Sequence, residues 1–228
     1  MSLSSGRAVS LNLGCGKNYK TGFINVDLDQ RFKVDLRIDL SKDWPFHSSS
    51  CRLIYAEHFI EHLDYVSGVK LLANCYSALK DNGKLRLVLP DFSRIFSAYV
   101  NNDQEFFAPF FDSLNNSDFI YYKSCLTDPM SIKEQSTDIP RPSWHFSNRQ
   151  EDIEQLTLRA RFYKHPIEIV DWFVHQYGEH KTLYDFLSLK NLLESLGFSG
   201  IALSEFNSTI DSRDYYTNSC LYVQAKKQ

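Results

Sequence analysis

Val9-Ser10-Leu11-Asn12-Leu13-Gly14-Cys15-Gly16 is the stretch on which the fold turns. Val9, Leu11 and Leu13 alternate with polar residues, the period-two pattern of a strand, and a Gly-x-Gly turn follows at once. Neither glycine carries a Cβ, so the turn lets backbone N–H groups come close to an anionic or polar ligand. A dinucleotide fingerprint needs a third glycine at position 19, which is Tyr19, and no Gly-Lys-Ser/Thr completes a phosphate-binding P-loop. Nicotinamide, flavin and nucleoside-triphosphate sites are therefore disfavoured.

Working outward, Phe23 to Val26, Val34 to Ile38, Leu53 to Ala56 and Leu85 to Leu89 read as further strands, several ending on an acidic residue. Between the last two, Val69, Leu72, Ala73, Tyr76 and Leu79 recur at helical spacing as one apolar face, and Asp81-Asn82-Gly83 ends that helix. Strand, crossover helix and strand make a right-handed βαβ unit, and several in series predict a parallel sheet. Near the far end Leu189, Leu192, Leu193 and Leu196 form another helix face, Gly197 caps it, and Ile201 to Glu205 and Cys220 to Ala225 read as strands. The expected fold is α/β, a doubly wound and mostly parallel seven-stranded sheet. Residues 1–91 and 181–228 form its core, and 92–180, rich in aromatics and lacking a strand rhythm, form a mostly helical cap insertion.

The 228 residues, 43% of them hydrophobic, suffice for a continuous core. A net charge of -3, with no basic run beyond Lys226-Lys227, gives no reason to expect a nucleic-acid partner. Five cysteines without a Cys-x-x-Cys pair argue against a disulfide framework and a structural zinc site, and point to a reducing cytoplasm. The polar start of the chain and the lack of a long apolar run predict neither an export signal nor a membrane span.

The second strand ends at Asp27, where a carboxylate can accept both hydroxyl hydrogens of a ribose and would be exposed without ligand. The third ends on Asp39-Leu40, an acceptor and an apolar contact suited to an adenine. One glycine turn with two strand-end acids describes a nucleoside pocket, although each acid could instead cap a turn or helix.

These segments resemble the Rossmann-like, class I S-adenosylmethionine-dependent methyltransferases. The resemblance runs through Leu11–Gly16, Ile24–Asp27, Tyr55–Leu63 and Leu79–Asp91 and resumes over Tyr184–Phe198. It implies S-adenosylmethionine as cofactor, with Gly14, Cys15 and Gly16 at its amino-acid end, Asp27 on the ribose, Asp39 and Leu40 on the adenine, and Glu57 beside them. Asp27 follows Gly16 by eleven residues, so the first crossover must be a short turn through Lys17 to Gly22, with Asp29 as the alternative ribose ligand. Gly178-Glu179-His180-Lys181 and Tyr184-Asp185 resemble the tail of small bacterial methyltransferases associated with surface-polysaccharide synthesis, which implies a sugar or nucleotide-sugar acceptor.

Glu57-His58-Phe59-Ile60-Glu61-His62 leaves the fourth strand, and if it opens a helix, His58, Glu61 and His62 share a face. Methyl transfer to a hydroxyl benefits from a base, and neutral histidine can take the proton near pH 7. His58 and His62 are the candidate bases, Glu61 the residue that orients one of them, and no metal is assigned. The same residues spell His-x-x-Glu-His, so a zinc-dependent hydrolase with a third ligand from a downstream helix is an alternative, as is a non-catalytic nucleoside-binding module. Trp144, His145, Phe146, Trp172, Phe173 and Tyr177 could close over a small-molecule acceptor or form the cap's own core. Arg141, Arg149, Arg159, Arg161, Lys164 and Lys181 would suit a phosphorylated one.

Overall fold

The computed structural model describes residues 8–111, 165–212 and 217–228. They contain β1 (Val9–Leu13), β2 (Ile24–Asp27), β3 (Leu36–Arg37), β4 (Cys51–Glu57), α1 (Tyr65–Ala78), β5 (Leu79–Pro90) and α2 (Phe92–Val100). After these come α3 (Pro166–His175), α4 (Phe186–Ser195), β6 (Phe198–Leu203) and β7 (Cys220–Lys227). The seven strands form one sheet in the order β3-β2-β1-β4-β5-β7-β6. Pairing is parallel from β3 to β5, and β7 runs antiparallel between β5 and β6. This is a doubly wound, Rossmann-like α/β fold.

Two compact units divide the chain, residues 1–96 with 173–228 and residues 97–172. Phe173 and His180, read from sequence as part of the cap, belong to the α/β unit. The polar face of β1 is not a solvent face, since Ser10 and Asn12 are buried along with Leu11 and Leu13. A central parallel strand is covered on both sides, which leaves no wet face for its alternate residues.

The crossover from β1 to β2 contains no helix, as the short spacing required. Two buried strand amides hold it instead. Asn12 donates to Asn25 Oδ1 at 2.8 Å and to the Asn18 carbonyl at 2.9 Å. Asn25 in turn accepts from Lys20 N–H at 2.8 Å and donates to the Lys20 and Phe23 carbonyls.

In α1 the buried face is Gly68, Leu71, Leu72, Cys75 and Ala78, rotated from the expected one, and Ala73 is exposed. Asp64 sets the start by accepting the Ser67 N–H, and Gly68 lies so close to Tyr184 that an added Cβ would be 2.9 Å from its hydroxyl. The helix stops at Ala78. Asp81-Asn82-Gly83 lies within β5, where the register with β4 slips between Cys51 and Leu53, so the turn-like triplet forms a strand irregularity rather than a helix end. At α4 the expectation holds: Leu189 and Leu193 are buried, and Gly197 at φ +95° follows the C-cap.

Candidate functional site

The chain moves outward from β1 to β2 and β3, then returns to the other side of β1 for β4 and β5. Adjacent parallel strands whose connections leave in opposite directions open a crevice at their carboxyl ends, where doubly wound folds bind ligands. Here Leu13 pairs with Ala56, so Gly14-Cys15-Gly16 and Glu57-His58 leave the sheet side by side at that point.

Gly14 and Gly16 both have positive φ, +60° and +48°. They differ in what faces them. A Cβ on Gly14 would lie 2.2 Å from Phe59 Cδ2, so the ring of Phe59, rather than a ligand, requires this glycine. At Gly16 the nearest atom to such a Cβ would be Phe32 Cε2 at 3.9 Å, which leaves its backbone approachable. Cys15 is buried, and that burial, followed by the charge of Asp27, pushes its thiol up to about 11.

The structure brings Asp27 to the glycine loop. Its Oδ2 accepts the Gly16 N–H at 2.7 Å and its Oδ1 the Asp29 N–H at 2.8 Å. The carboxylate is thus engaged without a ligand, unlike the exposed group the sequence suggested. Asp29 instead pairs with Arg31 in the adjoining loop. Asp39 caps its own turn through Ser41 and Lys42, and the Lys42 bond above all holds its carboxyl down to about 2. Leu40 is a core residue, which leaves its backbone rather than its side chain for a ligand. Glu57 accepts from Ser212 N–H at 3.1 Å and from Asn18 at 3.4 Å, linking the loop before β7 to the first crossover.

The Glu-His segment is not an α-helix. His58 turns the chain at φ +48°, and Ile60–His62 forms a single 3-10 turn. His58 Nδ1 nonetheless lies 3.3 Å from Glu61 Oε1, and its Nε2 is 3.5 Å from Cys220 Sγ. Glu61 is completely buried, and neither carboxylate oxygen accepts an aligned hydrogen bond from the described residues. Burial would raise its pKa, but His58 with His62 and His180 outweighs that and holds it below the ordinary carboxylate value. The burial of His180 lowers its pKa, and Glu61 offsets this only in part.

The sequence placed His180 in a tail motif at the edge of the cap, without linking it to Glu61. Lys181 and Thr182 donate their N–H groups to the Glu61 carbonyl at 2.8 and 3.2 Å, and Thr182 Oγ1 bonds the Leu63 carbonyl at 2.8 Å. This strap sets the His180 ring edge-on to His62 at 5.0 Å between centroids. Among the described residues, Glu61, His62 and His180 place one donor atom each within 4.8 Å of one another. The His58–His62 pair expected of a zinc hydrolase is therefore not the grouping the structure makes. Of the cap residues, Arg141, Trp144, His145, Phe146, Arg149, Arg159, Arg161, Lys164 and the side chain of Tyr177 lie outside the described residues.

No family model matches the chain. A stretch of 99 residues, 40% of this chain, is 31% identical to the ubiquitin thioesterase otubain-like protein of Caenorhabditis elegans, and the match spans about a third (34%) of that protein's length. Among solved structures, an S-adenosylmethionine-dependent methyltransferase from Mesorhizobium loti shares 16% identity, with 96% of this chain and 90% of that one covered and a TM-score of 0.47. A methyltransferase of the same cofactor class from Archaeoglobus fulgidus, also 16% identical, superposes over 97% of this chain and 87% of its own with a TM-score of 0.50, and this chain has that fold.

Proposed function

We propose that the protein transfers a methyl group from S-adenosylmethionine to a small-molecule acceptor. The observation that carries this is the joint placement of Gly16, Asp27 and His58 at the carboxyl ends of β1, β2 and β4, beside the point between β1 and β4 where the strand order reverses. The open backbone at Gly16 fits the polar amino-acid end of such a cofactor, and Asp27 beside it fits the ribose. When bound, the cofactor supplies an electrophilic methyl group.

What the chain's own residues contribute is position and a proton acceptor. An acceptor atom must be held roughly 3 to 3.5 Å from the reacting carbon in line with the bond that breaks. His58, with a side chain 34% exposed and Glu61 behind its Nδ1, is the oriented imidazole nearest the end of β4. It takes the proton of a hydroxyl acceptor at Nε2, while the buried carboxylate favours the resulting imidazolium. A sugar or nucleotide-sugar hydroxyl is the preferred acceptor, and the cytoplasm the preferred location. No helix among the described residues is long and apolar enough to cross a membrane.

Isothermal titration with S-adenosylmethionine, its demethylated product and NAD is the test. Binding of the first two and not the third supports the assignment, and the reverse pattern overturns it. Cofactor binding with no turnover on a panel of sugars, nucleotide-sugars and small amines would favour the nucleoside-binding module.

One contact favours a second reading, a thiol hydrolase like the matched thioesterase. Cys15, Cys51 and Cys75 are buried with raised thiol pKa values, whereas Cys220 is half-buried and faces His58. Release of a fluorophore from a ubiquitin conjugate, lost in Cys220→Ser, would support it, and no release in the wild type removes it.

A further inference from the structure

Glu61 is the most unusual side chain among those described. A carboxylate taken wholly out of water ordinarily collects several hydrogen-bond donors, because an uncompensated buried charge is costly. Glu61 has an imidazole at 3.3 Å and no aligned donor on either oxygen. Two more imidazoles, His62 and His180, have a donor atom each within 4.8 Å of the carboxylate and of one another.

His180 is oriented for something other than a hydrogen bond to Glu61. Its Nδ1 lies 2.5 Å from the Phe173 carbonyl, and with the proton there Nε2 presents a lone pair. A histidine whose first nitrogen is tied to a backbone carbonyl is the arrangement that fixes a metal-ligating imidazole. His62 has a weaker counterpart, with Glu179 Oε2 at 3.9 Å from its Nδ1. The strap of Lys181 and Thr182 on the Glu61 carbonyl holds the two sides of the cluster together.

We infer that Glu61, His62 and His180 bind a divalent transition metal ion of the zinc type. Two imidazoles and one carboxylate suit such an ion, and three protein ligands leave a coordination position for water or an acceptor oxygen. Tetrahedral bonds of about 2.0–2.1 Å require donors about 3.3 Å apart, so the set must close by rotation of side chains. His62, 27% exposed, has the freedom to do so. The site is independent of the methyl-transfer proposal and holds even if S-adenosylmethionine does not bind.

Its test uses the whole chain, stripped with a chelator and titrated with Zn2+ against a competing indicator, then with Co2+ while visible absorption is followed. One equivalent per chain should bind, and Co2+ should give the d–d bands of a low-coordinate nitrogen and oxygen site. Glu61→Gln, His180→Ala and His62→Gln should each weaken binding by more than the roughly 10- to 100-fold that loss of a supporting partner costs. His62 is partly exposed, so its variant should stay folded, as a melting curve would verify. No stoichiometric binding by the wild type, or equal binding by folded His62→Gln, would overturn the site and leave Glu61 as the ion-pair partner of His58 alone.

Discussion

The ring of Phe59 occupies the position that a side chain on Gly14 would need, with Cδ2 only 2.2 Å from where a Cβ would stand. The glycine loop after β1 and the segment after β4 are therefore built as one packed unit. Gly14→Ala should destabilise the protein by roughly 1–2 kcal/mol for the left-handed backbone, and overpacking should add roughly 1–3 kcal/mol. In urea titrations the double variant Gly14→Ala/Phe59→Ala should show a favourable coupling on the order of 0.5–3 kcal/mol. Strict additivity would mean that the ring yields freely and that the packing relation has no energetic content.

Asp27 joins the same unit through the Gly16 and Asp29 N–H groups. Asp27→Ala leaves both donors without an acceptor and should lower the stability of the unliganded protein by about 1 kcal/mol or more. It should also abolish most of the roughly 2.7 kcal/mol of stabilisation that a ligand at a hundred times its dissociation constant provides. Thermal melts with and without the demethylated cofactor separate the two effects. A full ligand response in the Ala variant would remove Asp27 from the site.

Arg86 and Asp211 form a nearly inaccessible ion pair, with Arg86 Nε 2.6 Å from Asp211 Oδ1 and further bonds to Ser204 Oγ and the Glu205 carbonyl. Removing one partner strands the other charge, so Arg86→Met should cost about 3–5 kcal/mol. Arg86→Met/Asp211→Leu should recover much of that loss, because no charge is left buried. The neighbouring Ser212 N–H supports Glu57, so cofactor affinity in the single variant should fall as well. Chemical denaturation checks the first two outcomes, and a double variant as unstable as the single one would refute the charge explanation.

The strands were legible because period-two patterns and a glycine turn are local signals, and β1 begins and ends where the alternation does. The alternation did not show that its polar member Asn12, with Asn25 of β2, is buried and holds the first crossover from inside. Burial on both faces of a central strand is a property of its neighbours and cannot be seen in the strand itself. In α1, apolar residues on adjacent faces left the helix's rotation undetermined until Asp64 fixed its start and Tyr184 came up against Gly68. Glu61 and His180 illustrate the same limit at the site. Each was noticed in its own motif, but their meeting depends on the strap of 179–182, whose backbone bonds carry no side-chain signature.

His58 and His62 were equivalent candidates in the sequence, and the structure gives them different surroundings. His58 has Glu61 behind Nδ1, whereas His62 stands with His180 and Glu179. With an active hydroxyl acceptor, His58→Gln should lower turnover by roughly a hundred- to ten-thousand-fold, since glutamine keeps the bulk and hydrogen bonding but cannot take a proton at neutral pH. Cofactor affinity should barely change, and Zn2+ affinity should fall by no more than the roughly 10- to 100-fold that loss of a partner of the ligand Glu61 costs, because His58 is outside the proposed ligand set. The defect should shrink as pH rises, because an increasingly ionised acceptor no longer needs the base, whereas damaged packing gives a loss that pH does not rescue. His62→Gln should show the opposite combination, a loss of metal with a pH profile that keeps its shape. Initial rates from pH 6 to 10 for the two variants, alongside metal content, decide the matter. Near-normal rates in His58→Gln would mean that the acceptor reacts without a base, and that the 3.3 Å approach to Glu61 serves the fold rather than the chemistry.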